Sequence, residues 1–320
     1  MSMVFNNKPG ISDATRELVY NAAAQYGYSN KKADKNATES PVIQFVTYKK
    51  HEQIIANTPF FSELTEGITQ ESSRQRCALH ISYIHEPGSI REQVEALKSI
   101  NCIGILLLAT EMSPSDFNWF RDFSVPIVVL DCYYDSIDFD CVLINNTQGA
   151  YQATDYLARC GFRRIGYLHS SVICGNFNER ASGFRGALRA NGLPDEEAII
   201  HEISPTSQEG FQDMMRILEE KPILADAYFA DNDIIAAAAM KAFQAHGYRI
   251  PEDISIIGFD DMPLCDIMTP ALSTMNVPKK VLGAMGVRRL IHRAQTEHDP
   301  HLKVALSTTL VTRESVLNHA

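Results

Sequence analysis

From Pro41 onward, short runs that are apolar throughout alternate with longer stretches of helical period. The runs are VIQFVTY (42–48), CALHISY (77–83), IGILLLA (103–109), PIVVLD (126–131), CVLIN (141–145), RIGYLH (164–169), AYFAD (227–231) and ISIIGFD (254–260). Between them, 59–73, 147–160, 178–191, 208–219 and 232–247 repeat apolar positions at three- and four-residue spacing, as amphipathic helices do. A strand that is apolar on both faces belongs to a parallel sheet covered by helices on each side. There are too many such strands for one small domain, so the pattern predicts an α/β chain with two doubly wound parallel-sheet lobes. Ligands of such sheets sit beyond the C-terminal ends of the strands, which makes the polar residues after each run the site candidates. No internal repeat is visible.

Before Pro41 the pattern differs. Residues 10–28 predict one short helix, with Ser12 as N-cap and Asp13 in its first turn. Leu18, Val19, Ala22 and Tyr26 fall on one face, and Gly27 is the stop signal. One helix of this size cannot bury its apolar stripe alone. The following SNKKADKNATES (29–40) holds no large apolar residue and reads as a linker.

Composition narrows the function classes. The chain has 320 residues, 45% hydrophobic and 21% charged, with a formal net charge of -10. That acidity argues against the bulk of the chain lying on nucleic acid. Mean hydropathy is -0.14, and no uncharged apolar run is long enough to span a bilayer. The N-terminus lacks the basic start and apolar centre of a signal peptide, so a cytoplasmic protein with no membrane partner is expected. The seven cysteines are odd in number, scattered, and free of CxxC or Cys/His spacing, which excludes a full disulfide framework. His51-Glu52 and His85-Glu86 lack the second histidine of a zinc-protease helix, and there is no GxSxG, GxGxxG or phosphate loop. No catalytic residue, metal or cofactor is expected, and the chain reads as a non-enzyme.

Four stretches, taken in order, resemble the LacI/GalR (lactose- and galactose-repressor) family of transcription regulators. They are NNKPGISDATRELVYNAAAQYGY (6–28), similar to the loop and third helix of the helix-turn-helix headpiece; INNTQGAYQATDYLARCGFRRIGYL (144–168) with NERASGFRGALRANGL (178–193); YFADNDIIAAAAMKAFQAHGYRIPEDISIIGFDD (228–261); and STTLVTRES (307–315). The resemblance implies two lobes of the periplasmic-binding-protein-like type joined by a three-strand hinge. Its expected divisions are a headpiece remnant at 1–28, a linker or hinge segment at 29–40, an N-terminal effector lobe at 41–160 and 274–305, and a C-terminal lobe at 161–273 and 306–320. Two departures stand out. The chain begins where a recognition helix would already have ended, and Ala37, with Asp34 nearby, occupies the place of the leucine that wedges into the minor groove. Such a wedge needs a bulky apolar side chain. Operator DNA is therefore an expected partner of the intact regulator and not of this chain, for which footprinting is expected to show no specific protection.

Recognising a sugar takes multi-toothed hydrogen bonding to hydroxyls together with an apolar face for the ring. Arg180, just before ASGFRGALRA, matches the family's effector-anchoring arginine; as a mere surface residue there, a cation would oppose the helix dipole. Asp260, at the tip of ISIIGF, matches its hydroxyl-binding aspartate, with Asp261 as a cap or loop acid. The resemblance turns Asn232 toward the effector and leaves Asp233 to cap the next helix. Asn146 and Gln148 open the helix after CVLIN, and the neutral Gln148 stands where some sugar binders carry an acid. Tyr48 ends the first core strand and Phe60–Phe61 follow Pro59; one of these aromatics is expected to stack on the effector, the alternative being that both phenylalanines are core. Glu111, after IGILLLAT, completes the set.

The resemblance implies a repressor whose effector, a sugar, lies between the lobes and switches DNA binding allosterically by favouring one interlobe angle. It also implies a homodimer. No heptads follow RESVLNHA to build a tetramer. Two other classes share the core pattern: a secreted sugar-binding protein of a transport system, which the stretch at 6–28 argues against, and an enzyme on a similar fold, testable as glycoside or phosphosugar turnover.

Overall fold

The computed structural model describes residues 40–319 except 52, 56, 57, 87, 297 and 298, together with residues 4, 12, 15 and 17–19. Apart from those few positions, the helix expected at 10–28 and the linker at 29–40 lie outside the described residues. At Ser12, Oγ accepts a bond from Thr15 N at 3.4 Å, as an N-cap does. The chain divides into two compact units, Met1–Pro41 and Val42–Ala320.

The larger unit is built on two parallel sheets. The first has six strands: β1 (Val42–Lys49), β2 (Ala78–His85), β3 (Gly104–Leu108), β4 (Ile127–Leu130), β5 (Asp140–Ile144) and β11 (Lys303–Leu306), in the order β11-β5-β4-β3-β1-β2. The second has four: β6 (Ile165–Ser170), β7 (Ile200–Ile203), β8 (Ala227–Ala230) and β9 (Ser255–Ile257), in the order β7-β6-β8-β9. Every pairing within both sheets is parallel. Central β3 and β4 are buried at every position, as their unbroken apolar sequences require, whereas edge strand β2 leaves Ile81 and Tyr83 exposed.

Helices cover the sheets. On the first lie α1 (Pro59–Arg74), α2 (Ile90–Lys98) and α8 (Lys279–Gln295). The second carries α3 (Asn146–Arg159), α4 (Gly175–Ala190), α5 (Ser207–Glu219), α6 (Asp233–Ala245) and the single turn α7 (Leu264–Ile267). Most starts have an assignable cause: Pro59 opens α1 with its preset φ, and Ser89, Asn145, Thr206 and Asn232 each accept a backbone N–H from the first turn of α2, α3, α5 and α6. The chain passes between the sheets at 144–146, 276–279 and 306–309, the last two beside the antiparallel pair β10 (Thr274–Asn276) and β12 (Thr309–Val311).

The packing of α3 departs from expectation. The resemblance implies that residues 146–160 belong to the first lobe, yet α3 packs along α4 and touches β6 and β8. Gly183 makes this possible, because a Cβ there would lie 2.2 Å from Thr147 O. The first crossing between sheets thus comes before α3. Among the described residues, no helix is long and apolar enough to cross a membrane.

Two expected site residues serve the fold instead. Tyr48 is wholly buried against Phe120, with its hydroxyl donating to Glu86 Oε1 at 2.7 Å. Glu111 is buried as a staple: its carboxylate accepts the backbone N–H groups of Lys50, His51, Ile54 and Ile55 at 2.8–3.1 Å. Burial pushes the pKa of Glu111 up, but these four bonds prevail and hold it below the usual range.

Three substitutions test this packing. Helices α1 and α8 cross at glycines: a Cβ on Gly67 would lie 2.2 Å from Lys280 O, and one on Gly283 2.4 Å from Leu64 O. Gly283→Ala is therefore expected to lower stability in urea unfolding by about 1–3 kcal/mol. Gly186→Ala, where the new Cβ meets only Tyr151 Cδ2 at 3.8 Å, is expected to be neutral or to stabilise by up to about 1 kcal/mol. Glu111→Gln should lower stability at pH 7 by about 2 kcal/mol through weakened bonds to the loop. The charge on Glu111 stabilises above its unfolded pKa of about 4.3, and the effect fades as pH falls through the lower folded value. The gap between parent and variant should therefore narrow at pH 3 in thermal melts.

Candidate functional site

The C-terminal ends of the strands in both sheets turn toward one cavity, which holds about 480 Å³ of space free of atoms and is partly open to solvent. The first sheet contributes Thr58, Phe60 and Phe61 after β1, Thr110 after β3 and Asp131 after β4. The second contributes Asn176 and Arg180 after β6, Asn232 after β8, and Asp260 and Met262 after β9. Of the residues expected from the sequence, the structure brings together Arg180, Asp260, Asn232 and Phe60.

Arg180 is buried in the second turn of α4, which starts at Gly175. It does not precede a helix, so the dipole argument for its role falls away and its partners replace it. Nε donates to Asn146 Oδ1 at 2.9 Å, Nη1 donates to the carbonyl of Asp231, and the guanidinium lies 3.8 Å from the ring centre of Phe259. These contacts fix its plane and leave Nη2 facing Asp260 Oδ1 at 3.5 Å.

Asp260 extends beyond β9 with a φ of 114°, a conformation side chains rarely adopt. Its Oδ1 is buried and has no hydrogen-bond partner among the described residues. Burial pushes its pKa up against the opposing charges of Arg180 and Lys279, while Asp231 adds to the rise. The turn is held from behind by Asp233, whose Oδ1 accepts Thr274 Oγ1 at 2.5 Å and whose Oδ2 accepts Met262 N at 2.8 Å. Asp233 is therefore a tie beneath the site and not a helix cap. Asn232 does the capping, accepting Ile235 N at 2.9 Å while it lines the cavity. Asp261 binds Arg313 Nη2 and Asn276 Nδ2, each at 2.8 Å, and is a loop acid.

Two more expected residues lie off the cavity. Asn146 is buried behind Arg180; its Nδ2 donates to Glu179 Oε2 at 3.0 Å and its Oδ1 holds the arginine, so it positions Arg180. Gln148 is exposed in the first turn of α3 and does not line the cavity. Phe60 and Phe61 stand edge to face at 4.9 Å, and both supply apolar wall.

Asp131, Asn176, Thr110 and Thr58 were not singled out in the sequence. Asp131 has a φ of 59° and is buried; Thr110 Oγ1 donates to its Oδ2 at 2.7 Å. Asn176 reaches from the other lobe, its Nδ2 donating to both the carbonyl and Oδ1 of Asp131 at 3.1 Å. Burial raises the Asp131 pKa to about 7, against the bond from Thr110 and the charge of Arg180 and with a further push from Asp260. Thr58 precedes α1 without capping it, and its buried Oγ1 has no partner among the described residues. The strand-tip rule, carried through to the end of PIVVLD, is the signal that reaches Asp131; nothing in the local sequence marks Asn176.

Chemically, the cavity offers a fixed guanidinium, buried carboxylate and hydroxyl oxygens lacking partners, amides from the second lobe and an aromatic wall. It suits a ligand whose groups both donate and accept hydrogen bonds around an apolar skeleton. Among the described residues, no group of three or more His, Cys, Asp or Glu is placed to hold a metal ion.

Known proteins share this fold. The family described as periplasmic binding protein-like domain matches residues 154–316. A transcriptional repressor PurR of Mannheimia succiniciproducens is 28% identical, over 99% of this chain and 94% of its own length. The ribose operon repressor of Haemophilus influenzae is likewise 28% identical, over the same shares. Among solved structures, a complex of the regulator CelR with cellobiose has a TM-score of 0.77 at 26% identity, covering 98% of this chain and 94% of that one. A LacI family regulator of Enterococcus faecium with bound ribose has a TM-score of 0.74 at 26% identity, covering 87% of this chain and all of that one. The lac repressor dimer bound to operator, 23% identical with a TM-score of 0.75, shares the fold. With its strand-tip cavity between two parallel-sheet lobes, the chain belongs to the LacI/GalR family of transcription regulators, with a periplasmic-binding-protein-like domain as its effector core.

Proposed function

We propose that this chain is the effector-sensing core of a repressor, that it binds a small neutral sugar or related polyhydroxy molecule in the cavity between its lobes, and that it switches DNA binding without making or breaking a covalent bond. The observation that carries the reading is the buried Asp260 Oδ1, without a hydrogen-bond partner and beside the fixed Nη2 of Arg180. A buried carboxylate oxygen left without a donor is costly, and a ligand hydroxyl that donates to Asp260 while accepting from Arg180 removes the cost. Asn232 and Asn176 supply further polar contacts, and Phe60 with Phe61 supplies the face for the ring's C–H surface.

The lobes in this reading comprise 42–144 with 277–306, and 145–276 with 307–319. The effector touches both, and so biases their angle. In a homodimer that angle sets the spacing of two DNA-reading headpieces on a two-fold operator. Repressors similar over 99% of the chain, residues before Val42 included, support a cytoplasmic regulator over a secreted binding protein.

The test is a thermal-shift screen against neutral sugars, with ribose and cellobiose among them. A saturating effector at about 100 times Kd stabilises by about 2.7 kcal/mol, on the order of several degrees in a domain of this size. Arg180→Ala should abolish the gain and Gln148→Ala, off the cavity, should keep it. Equal gains in the parent and Arg180→Ala would refute the site.

A further inference from the structure

The two lobes meet through acids. Asp131 comes from the tip of β4 in the first sheet and Asp260 from beyond β9 in the second; both line the cavity and both are buried, and the Arg180 guanidinium, 3.5 Å from Asp260 Oδ1, also acts on Asp131 through its charge. The lobes are also bonded directly: Asn176 donates to the Asp131 carbonyl and Oδ1, and Cys174 Sγ lies 3.3 Å from Thr110 O. The chain crosses between the sheets three times, at 144–146, 276–279 and 306–309, each a short segment able to act as a hinge. If the lobes part, Asp131 and Asp260 separate and regain water. If they close, two carboxylates enter a low-dielectric space with one cation between them. We infer that closure of the lobes takes up a proton, shared between Asp131 and Asp260, so that acidity favours the closed cleft and alkalinity opens it.

The surrounding charges support this direction. Asp131 faces Arg180 and Asp260 across the cavity, with the neutral thiols of Cys132 and Cys174 beside it. Asp260 faces Arg180, Lys279, Asp231 and Asp233. The ammonium of Lys279 is occupied elsewhere: Nζ donates to Asp261 O at 3.1 Å and lies 3.9 Å from Glu63. Asp231 is tied to Tyr167, His169 and Ser170 N. Asp233 is buried and its pKa is raised as well, burial first and the charge of Asp260 second. Acids therefore outnumber bases around the cavity, and the bonds from Thr110 and Asn176 only partly favour ionised Asp131. In the closed cleft Asp131 holds its proton to about pH 7, whereas a solvated aspartate releases it near 3.9. Between these limits the closed form binds more protons than the open form. Raising pH through that window disfavours closure by up to about tenfold per unit, with no further change above it.

The inference deepens the effector reading of this cleft and rests on it, but its test needs no effector. The radius of gyration of the ligand-free full chain is measured by small-angle X-ray scattering at pH 5.5 and 8.5, alongside the carboxyl carbon resonances of 13C-labelled aspartates. The parent is expected to expand at pH 8.5, with Asp131 titrating well above the usual aspartate range. Asp131→Asn should hold the compact radius at both pH values. Asp260→Asn, a second route should the first variant misfold, should do the same. A midpoint for Asp131 near 4, or a radius with the same pH response in the parent and in the folded variants, would overturn the inference. Failure of the effector reading shows separately, as a parent whose melting temperature no sugar raises.

Discussion

Burial of the Arg180 guanidinium constrains the rest of the site. A guanidinium taken out of water needs its hydrogens matched in their own plane, and the chain meets that need with parts drawn from several places. Asn146 takes Nε, the carbonyl of Asp231 takes Nη1, and the ring of Phe259 lies against the flat face. Only Nη2 is left turned into the cavity, opposite Asp260. The three fixing contacts come from the start of α3, the loop after β8 and the loop after β9. The arginine is thus held by the second lobe alone, rigid before any ligand arrives, which reduces the ordering cost of binding.

The first lobe plays a different part. Its contributions are the aromatic pair Phe60–Phe61, the hydroxyls of Thr58 and Thr110 and the carboxyl of Asp131. None of these touches Arg180 by hydrogen bond. The direct ties between lobes near the cavity are modest: an amide of Asn176 on Asp131, a weak thiol contact from Cys174, and the ammonium of Lys279 on the carbonyl of Asp261. Two halves joined by few direct bonds are an arrangement in which a small ligand, bonded to both, would contribute a large share of the interlobe free energy. The same arithmetic lets one proton matter.

The fold was legible because its signals are redundant. Each central strand is apolar on both faces, and five of the long helices show their period in the sequence; no other fold class accommodates that alternation. Arg180 and Asp260 were legible from the resemblance of 178–193 and 228–261 to a known family. The failures share a physical cause. Tyr48, Glu111 and Gln148 stand at or just beyond the ends of strands or helices, and sequence does not say which way a residue at such an end turns. Tyr48 still belongs to the strand and points into the core, Glu111 turns back to bind four backbone N–H groups, and Gln148 sits one position round the helix from the buried side. Asn176 was missed for the converse reason. Its partner Asp131 lies 45 positions away, and the pair exists only because two sheets face each other. The lobe boundary at α3 failed similarly: a helix carries no mark of which sheet it covers, and the close approach at Gly183 decides it.

Asn146 shows why positioning residues are as consequential as those that face the ligand. It is the first residue of α3, directly after one of the three crossings between the sheets, and it spends its side chain on Arg180 and Glu179. Its carbonyl oxygen accepts from the arginine while its amide nitrogen donates to the glutamate, so neither end is free to compensate if the other is pulled. Under the proposed function, a ligand that drew the guanidinium toward Asp260 would lengthen the Nε bond and load the residue joining strand β5 to the second lobe. The contact that orients the arginine therefore also connects it to the crossing between the sheets, and under the proposed function one amide would serve both recognition and its transmission.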